Sequence, residues 1–262
     1  MQIARFFVEP LSIDEQRQTI ALTGAAQIKQ IRSVLRLREG DRLDLLDGQG
    51  KIYRCQLGPF ADESGRRPNL AKLTCLIESI EVARGEPSIN LTVALPLLRH
   101  NRFEWALEKL TEIGATTIVP IVLERTVVQL GGADKTQAQL SNKMERWVAI
   151  AREAAEQCER ALIPNVVSPQ KFTDFVKNFA GGAVAKFIAA ERTIAPPLVD
   201  VSDNISDTSI CIAIGAEGGF TDEEIALSFT HGFAAVSLGK RILRAETAAL
   251  YAATILLSRL DR

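Results

Sequence analysis

Three cations surround an aliphatic pair near the end of the sequence. In SLGKRILRAETAAL, Lys240, Arg241 and Arg244 flank Ile242 and Leu243, and an alanine-rich segment follows. A plain connector is expected to use Gly, Asn, Asp, Ser or Pro, because their backbone preferences favour turns, and it has no reason to expose Ile and Leu. Cations held near a developing negative charge stabilise it, as oxyanion sites do. We therefore interpret this stretch as a site whose kind the rest of the chain must define.

A glycine-rich segment precedes that stretch by about 20 residues. GAEGGF (215–220) follows the apolar run ICIAI, and Thr221 with Glu224 has the pattern of a helix capping box. Glycines let a backbone approach a ligand closely, and a helix N-terminus offers free N–H groups, a combination that often binds phosphate. Glu217 and the acidic residues 222–224 would repel a polyphosphate, however, and the glycine spacing matches neither the dinucleotide-binding nor the P-loop pattern. The segment favours a neutral or cationic cofactor, with a tight turn that binds nothing as the alternative.

Both segments follow apolar runs in the second part of the chain, where strands and helices alternate. Five strand-like runs occur after residue 85, namely INLTVALPL, TTIVPIV, AKFIAAE, ICIAI and FAAVSL. This alternation predicts an open α/β sheet with parallel strands, in a domain of about 175 residues. Ligands bind at the carboxyl ends of such strands. The loops after FIAA, CIAI and VSL are therefore the candidate ligand-binding loops.

The helices between these runs carry their own start and stop signals. In NRFEWALEKLTEIGA, Asn101 is predicted at the N-cap, Glu104 at the third helical position and Gly114 as the C-terminal stop. Gly232 is predicted to end the helix that follows the glycine-rich segment.

The first 84 residues predict a small, mostly-β domain. Short strand-like runs are separated by Gly, Asp and Pro turns, and ARGEPS (83–88) has the composition of a linker. One helical insert, AAQIKQIRSVLRL, is expected to place Ile28, Ile31 and Leu35 on one face and a cationic stripe on another. The stripe consists of Lys29, Arg32 and Arg36, and a solvated helix face is its ordinary interpretation.

Composition indicates a folded globular protein without choosing a ligand. The 262 residues are 47% hydrophobic, and 31 Lys and Arg nearly balance 32 Asp and Glu, for a net charge of −1. Any attraction for nucleic acid must therefore come from local clusters. The N-terminus lacks the pattern of a secretory signal, and no run of about 18 uncharged apolar residues occurs. We expect a cytoplasmic protein with no membrane partner.

Cysteine and histidine spacing gives no reason to expect a metal or a disulfide. The four cysteines, at positions 55, 75, 158 and 211, are widely spaced and are predicted to be reduced core residues. His100 and His231 have no carboxylate or cysteine at ligand spacing. We therefore expect no metal site.

The two chemistry-bearing segments together resemble the signature of the RsmE family, which belongs to the SPOUT superfamily of methyltransferases. IGAEGGF is followed about 20 residues later by SLGKRILRAETAAL. The resemblance extends over essentially the whole chain, because RFF, VLRLREGD, EWALEKLTEIGATTIVPI, ERTVVQL and RWVAIAREAAEQCER occur in the expected order.

The resemblance implies a reaction and an architecture. The reaction is transfer of a methyl group from S-adenosylmethionine to N3 of one uridine in 16S ribosomal RNA, within the small ribosomal subunit. The architecture is a PUA-like RNA-binding β-barrel over residues 1–84 and a SPOUT α/β methyltransferase domain over residues 85–262, with a C-terminal trefoil knot. A homodimer is also implied.

By the same likeness, the methyl donor contacts three loops. The implied cofactor-binding residues are Ala190 and Glu191, then Gly215, Glu217, Gly218 and Gly219, and then Leu238, Gly239, Ile242 and Leu243. Ile242 and Leu243 are expected to form an apolar floor for adenine, while Arg241 and Arg244 face the RNA.

The catalytic assignment follows from the charge that the reaction creates. Loss of the N3 proton leaves negative charge on O2 and O4 of uridine, so Arg241 and Arg244 are expected to stabilise this anion. Glu246 is expected to orient these arginines or to accept the proton, and Thr247 to cap the helix or to bond the base. A surface ion pair between Arg244 and Glu246 is the ordinary alternative.

In the N-terminal domain the implied RNA contacts are Lys29, Arg32 and Arg36, to which Arg5 is expected to add. Phosphate contacts of this kind position a substrate without reading its bases. Three other functions stay open: a related enzyme acting on another RNA, a non-catalytic RNA-binding or assembly protein, and a nucleotide hydrolase. The acidic helix start and the absence of a P-loop Lys argue against the hydrolase.

Overall fold

The computed structural model describes residues 3–59, 72–83, 85–127, 137–179, 184–190, 193–206 and 208–260. It divides into two compact units. Unit 1 comprises Met1–Glu86 with Glu156–Leu162, and unit 2 comprises Pro87–Ala155 with Ile163–Arg262. A segment distant in sequence therefore belongs to unit 1, which a linear division at residue 84 does not anticipate.

Unit 1 is built on one β-sheet, in agreement with the predicted mostly-β domain. Its strands are β1 (Ala4–Phe7), β2 (Ile13–Asp14), β3 (Thr19–Leu22), β4 (Arg42–Leu46), β5 (Lys51–Leu57) and β6 (Leu73–Val82). The described strands lie in the order β1-β4-β5-β6-β3-β2, with β1 parallel to β4 and the other pairs antiparallel. Its core contains Leu43, Leu45, Tyr53 and Cys55.

The helical insert of unit 1 is shorter and less regular than the sequence predicts. Helix α1 (Ala25–Lys29) continues into a π-helical turn over Gln30–Val34. Ile28 and Ile31 are buried as predicted, but Leu35 is 43% exposed. The prediction that all three share one buried face is wrong, because the wider turn rotates the later residues away from that face.

Three of the four cysteines are core residues, as predicted. Cys55, Cys75 and Cys211 are buried, and Cys158 is half-buried. Burial raises the pKa of the Cys55 and Cys75 thiols to about 12, because a thiolate is poorly solvated in an apolar interior.

Unit 2 is an α/β unit, as predicted. Its elements are β7 (Asn90–Pro96), α2 (Arg102–Ile113), β8 (Thr117–Val122), α3 (Gln137–Gln157), β9 (Asn165–Val166), β10 (Gln170–Lys171), α4 (Phe172–Asn178), β11 (Ala185–Ala189), α5 (Leu198–Ser202), β12 (Ser209–Ile214), α6 (Asp222–Thr230), β13 (Ala234–Val236) and α7 (Ala245–Leu260). The last two residues of α3 belong to unit 1.

The sheet of unit 2 is parallel at every described pairing. The strands lie in the order β10-β8-β7-β12-β11-β13, with β9 paired to β8. Alternate residues of a strand point to opposite faces. Leu91, Val93 and Leu95 pack in a core with α2 and α7, whereas Ala94 packs in a second core with α4 and α6. Helices therefore cover both faces of the sheet. A ligand has access at the ends of the strands, where the connecting loops lie.

Local signals set the ends of the helices that matter for the site. Gly114 ends α2 with φ of +118°, and a Cβ at this position would lie 2.8 Å from Cγ of Pro87. Asn101 occupies the N-cap position of α2, as predicted, although its side chain makes no capping hydrogen bond. The capping box of α6 is present, because Thr221 Oγ1 accepts from the N–H of Glu224, whose Oε2 accepts from the N–H of Thr221.

Candidate functional site

The carboxyl ends of three neighbouring strands bring the predicted loops together. Strand β11 lies between β12 and β13, and Ala189 is in register with Ile214 on one side and Val236 on the other. The chain leaves all three strands at the same edge, through Ala190, through the glycine loop (residues 215–220) and through the arginine loop (residues 237–244). The predicted meeting of the three loops at one edge is confirmed by this register.

The segment after β11 returns to the start of the arginine loop. Ser237 donates its N–H to the carbonyl of Pro196 at 2.9 Å, and Leu198 donates its N–H to the carbonyl of Ser237 at 2.9 Å. The N–H of Ala190 donates to the carbonyl of Val236 at 3.3 Å. These bonds fix where the arginine loop begins.

A cavity lies between the glycine loop, the arginine loop and the start of α7. Its empty volume is about 430 Å³, part of which is open to solvent. The side chains that line it are mostly apolar, and many of them are small. The lining residues are Ala189, Ile214, Gly215, Ala216, Val236, Leu238, Gly239, Arg241, Leu243, Ala245 and Ala248.

The glycine loop folds tightly on itself. The N–H of Gly219 donates to the carbonyl of Ala216 at 2.9 Å, and Gly219 has φ of +71°, a conformation that favours glycine. A Cβ on Gly215 would lie 3.2 Å from the ring of Phe220, which packs beneath the loop. The glycines are therefore required by the packing of the loop itself.

Arg125, just after β8, holds this loop from outside the cavity. Its Nη1 donates to the carbonyls of Gly218 at 3.0 Å and of Phe220 at 2.9 Å. The pKa of Glu223 lies below its usual value, chiefly because of a hydrogen bond from its own backbone N–H and next because of the Thr221 hydroxyl, and the charge of Arg125 lowers it slightly further. Arg125 thus anchors the glycine loop at Gly218 and Phe220.

Arg102, at the start of α2, links two acidic residues of the site. Its Nη1 lies 2.6 Å from Oε1 of Glu217 and 3.9 Å from Oε1 of Glu246. Glu246 is buried, with 7% of its surface exposed, and its Oε2 has no hydrogen-bond partner within the described part of the chain.

Comparison with known proteins assigns this arrangement to a family. Residues 85–257 match the RNA methyltransferase domain family, and residues 22–58 match the RNA methyltransferase PUA domain. A relative from Synechocystis sp. (strain ATCC 27184 / PCC 6803 / Kazusa), called ribosomal RNA small subunit methyltransferase E, is 37% identical over 93% of this chain and 74% of its own. This chain belongs to the ribosomal RNA small subunit methyltransferase E family of RNA methyltransferases. Its N-terminal unit is the PUA-like domain of that family.

Other members of the methyltransferase E family cover nearly the whole chain. The member from Bacillus subtilis (strain 168) is 31% identical over 95% of this chain and 93% of its own. The structure of the member from Neisseria gonorrhoeae, described as bound to S-adenosyl methionine, matches with a TM-score of 0.81 at 25% identity and covers 98% of both chains.

The cavity of this methyltransferase contains only part of the predicted cofactor set. Gly215, Leu238, Gly239 and Leu243 line it. Ile242 is 77% exposed and lies outside the lining, whereas Leu243 belongs to it, so the expectation that both form an apolar floor stays a prediction that the cavity supports for Leu243. Adjacent residues of a non-helical segment tend to point to opposite sides, which lets only one of the pair face the cavity.

The remaining predicted cofactor residues have other positions. Ala190 is buried directly after β11, and Glu191 lies outside the described residues. The side chain of Glu217 pairs with Arg102, and Gly218 lies against Arg125. Sequence reasoning missed Ala245 and Ala248, which line the cavity one turn apart on α7. The alanine-rich composition after the arginine loop was the signal for a close approach at this point.

The predicted catalytic residues are near one another in sequence but are not paired. Arg241 and Arg244 are exposed and, within the described residues, neither forms an ion pair. Glu246 is buried towards Arg102, and the alternative surface ion pair with Arg244 is not formed among the described residues. The expected role of Glu246 towards the arginines stays a prediction. The carbonyl of Arg244 accepts the N–H of Ala248 at 2.8 Å and so begins α7, while Thr247 is exposed.

The cations predicted to contact RNA differ in their availability. Lys29 and Arg36 are exposed and Arg32 is half-buried. Arg36 lies beyond the π-helical turn with φ of +56°, so the predicted stripe is not one continuous helix face. The Arg5 side chain is 21% exposed and lies 3.4 Å from carboxylate oxygens of both Asp44 and Glu159. Two acidic partners therefore already balance the charge of Arg5.

The described residues contain no cluster of three or more His, Cys, Asp or Glu side chains that could hold a metal ion. Among the helices of the described chain, none combines the length and the apolar character needed to cross a membrane.

Proposed function

We propose that this protein transfers the methyl group of S-adenosylmethionine to N3 of a single uridine in the 16S RNA of the small ribosomal subunit. The observation that carries the proposal is the cavity between the glycine loop and the arginine loop, with Arg241 in its wall. The relatives are named for methylation of small-subunit ribosomal RNA, and the member from Neisseria gonorrhoeae binds S-adenosyl methionine.

The residues present suit this cofactor. The side chains that line the cavity are mostly apolar, and its glycines bring backbone groups to the surface, a combination that suits an adenosine group. The acidic start of α6, at residues 222–224, disfavours a polyphosphate ligand beside the same loop but is compatible with a cation. When bound, S-adenosylmethionine supplies a methyl group on a positively charged sulfur. Leu238, Gly239 and Leu243, together with Gly215, are the residues that would hold it.

The chain's own residues would assist by stabilising charge on the RNA base. Uridine N3 must lose its proton before its lone pair can bond the methyl carbon, while the electrons of the broken carbon–sulfur bond remain on sulfur. The resulting negative charge on O2 and O4 is stabilised by Arg241 and Arg244, which are exposed and unpaired within the described chain. Glu246 is buried beside Arg102, which suits a positioning role better than that of proton acceptor.

The PUA-like unit would position the RNA. Lys29, Arg32 and Arg36 contact phosphates in this proposal, and Arg5 contributes less because Asp44 and Glu159 pair with it. We further propose a trefoil knot at the C-terminal loops, domains spanning residues 1–84 and 85–262, a homodimer and a cytoplasmic location, all on the likeness to the family.

Methyl transfer to ribosomal subunits tests the proposal directly. Small subunits from cells lacking this protein are incubated with it and with labelled S-adenosylmethionine, and the modified nucleoside is identified by mass spectrometry. We expect 3-methyluridine at one position. A different methylated nucleoside would overturn the assignment to uridine N3, and transfer only to another RNA would overturn the substrate.

A further inference from the structure

Arg102 joins two carboxylates that belong to different walls of the candidate cavity. Glu217, 2.6 Å from Arg102 Nη1, lies in the glycine loop two residues after the cavity residue Gly215. Glu246, 3.9 Å from the same atom, directly follows the cavity residue Ala245 at the start of α7. One guanidinium from a third element, α2, therefore links the two walls.

Burial makes Glu246 dependent on that guanidinium. A carboxylate removed from water is unfavourable unless a cation or hydrogen-bond donors compensate its charge. The Oε2 atom of Glu246 has no such donor within the described residues, and Arg102 is the one cation at ion-pair distance among them. The first turn of α7 adds the favourable field of a helix N-terminus, but this field is weaker than that of a full charge.

The two arginines proposed to act on the substrate lie close to Glu246 in sequence. Arg244 precedes it by two residues and Arg241 by five, and neither forms an ion pair within the described chain. Without Arg102, the uncompensated charge of Glu246 attracts these neighbouring cations. An arginine that pairs with Glu246 is no longer available to an anionic base.

We propose that Arg102 is a positioning residue for methyl transfer, which compensates the charge of Glu246 and holds Glu217 so that Arg241 and Arg244 stay available to the RNA. This inference rests on the proposed function, because it requires a reaction in which the two arginines stabilise negative charge. Arg102 itself is 33% exposed and need not touch the cofactor or the base.

Substitution of Arg102 separates this role from simple loss of structure. Arg102→Ala is expected to slow single-turnover methyl transfer roughly tenfold or more, while the dissociation constant for S-adenosylmethionine, measured by calorimetry, changes less than about threefold. Arg102→Lys keeps the charge and is expected to recover most of the rate. A loss confined to cofactor affinity, or no recovery with Lys, contradicts the proposal.

A double variant tests why Arg102 is needed. In Arg102→Ala/Glu246→Gln the charge that would capture Arg241 or Arg244 is absent, so transfer is expected to be at least about threefold faster than in Arg102→Ala alone. A double variant that is slower than Arg102→Ala overturns the proposal, because the two residues would then act independently. Thermal unfolding of each variant shows whether a rate change reflects loss of folded protein.

Arg146→Ala is the matched control. Arg146 lies on α3 and forms a 2.6 Å ion pair with Glu104, which lies on α2, the helix that carries Arg102. Neither Arg146 nor Glu104 lines the cavity or belongs to its loops. The single-turnover rate of methyl transfer by Arg146→Ala is expected to equal that of the wild-type protein. If the wild-type protein transfers no methyl group to small subunits, the proposed function is wrong. If the wild-type protein transfers the group and Arg102→Ala does so equally fast, the proposed function stands and the positioning role of Arg102 is wrong.

Discussion

The side chain of Arg125 fills the space that a side chain on Gly218 would occupy. A Cβ built on Gly218 lies 3.0 Å from Cβ and 3.3 Å from Cδ of Arg125, while Nη1 of Arg125 donates to the carbonyl of Gly218. Gly218 is thus tightly packed against Arg125, and the cofactor contact that the family resemblance implies for it stays a prediction.

Substitution of Gly218 is therefore expected to disturb the loop before any ligand binds. Gly218→Val should weaken S-adenosylmethionine binding by roughly tenfold or more, and Gly218→Ala less, because the added atoms push Arg125 away from the loop carbonyls. Calorimetric titration of the cofactor measures both. Gly24→Ala is the control, since a Cβ there meets only ordinary contacts at 3.6 Å. Unchanged affinity in Gly218→Val would contradict this account.

Removal of the Arg125 side chain should have a similar effect through its hydrogen bonds. Arg125→Ala leaves the carbonyls of Gly218 and Phe220 without their charged donor, and hydrogen bonds of this kind contribute about 1.5–3 kcal/mol. We expect cofactor affinity to fall roughly tenfold. Arg125→Lys should be intermediate, because an ammonium is a single point donor. Equal affinities in all three proteins would show that the loop keeps its shape without this side chain.

Filling the cavity from α7 should exclude the cofactor without unfolding the protein. Ala248 lines the cavity, and Ala248→Leu adds a branched side chain into that space. Cofactor binding is expected to fall more than about tenfold, whereas overpacking of this size typically costs about 1–3 kcal/mol of folding free energy. Thr254→Leu, at an exposed position of the same helix, is the control. Normal binding in Ala248→Leu would place the cofactor elsewhere.

Arg244 should support transfer more than cofactor binding. It is exposed and does not line the cavity, so Arg244→Ala is expected to lower the single-turnover rate about 10²-fold with little change in cofactor affinity. Arg241 does line the cavity, so Arg241→Ala is expected to lower both. Unchanged transfer in Arg244→Ala, or a loss of cofactor affinity alone, would remove Arg244 from the mechanism.

The cations of the PUA-like unit should act through phosphates. Lys29→Ala and Arg36→Ala are each expected to weaken binding to small subunits and to reduce its dependence on salt concentration, because each removes about one phosphate contact. Arg5→Ala should instead lower the thermal unfolding temperature, since it leaves Asp44 buried without its cation. Burial raises the pKa of Asp44, and Arg5 opposes that shift. A salt dependence equal to that of the wild type in Lys29→Ala would argue against phosphate contact.

Signals that act over a few residues were readable from the sequence. The stop at Gly114 and the capping box of Thr221 and Glu224 each depend on backbone groups close in the chain. The loop positions followed from the apolar runs, because parallel strands end at one edge of a sheet. The family resemblance supplied the cofactor and the reaction, which no local pattern contains.

Contacts between distant residues were not readable. Arg125 and Gly218 are 93 positions apart, and only the order of strands in the sheet brings them together. The pairing of Arg102 with Glu217 and Glu246 likewise joins residues that are more than 100 positions apart. The sequence alone therefore relates Glu246 only to the arginines nearest to it, Arg241 and Arg244. The π-helical turn after α1 was missed because composition predicts a helix but not its pitch.

The carboxylate of Glu224 ties the glycine loop to the loop after β8. Its Oε2 accepts from the N–H of Thr221 and its Oε1 from the N–H of Glu124, both at 2.9 Å, while Arg125 donates to the carbonyls of Gly218 and Phe220 in the glycine loop. A loop held by several hydrogen bonds before a ligand arrives loses little conformational entropy on binding. Affinity at this wall therefore depends on the contacts a ligand makes and not on the ordering of the chain that receives it.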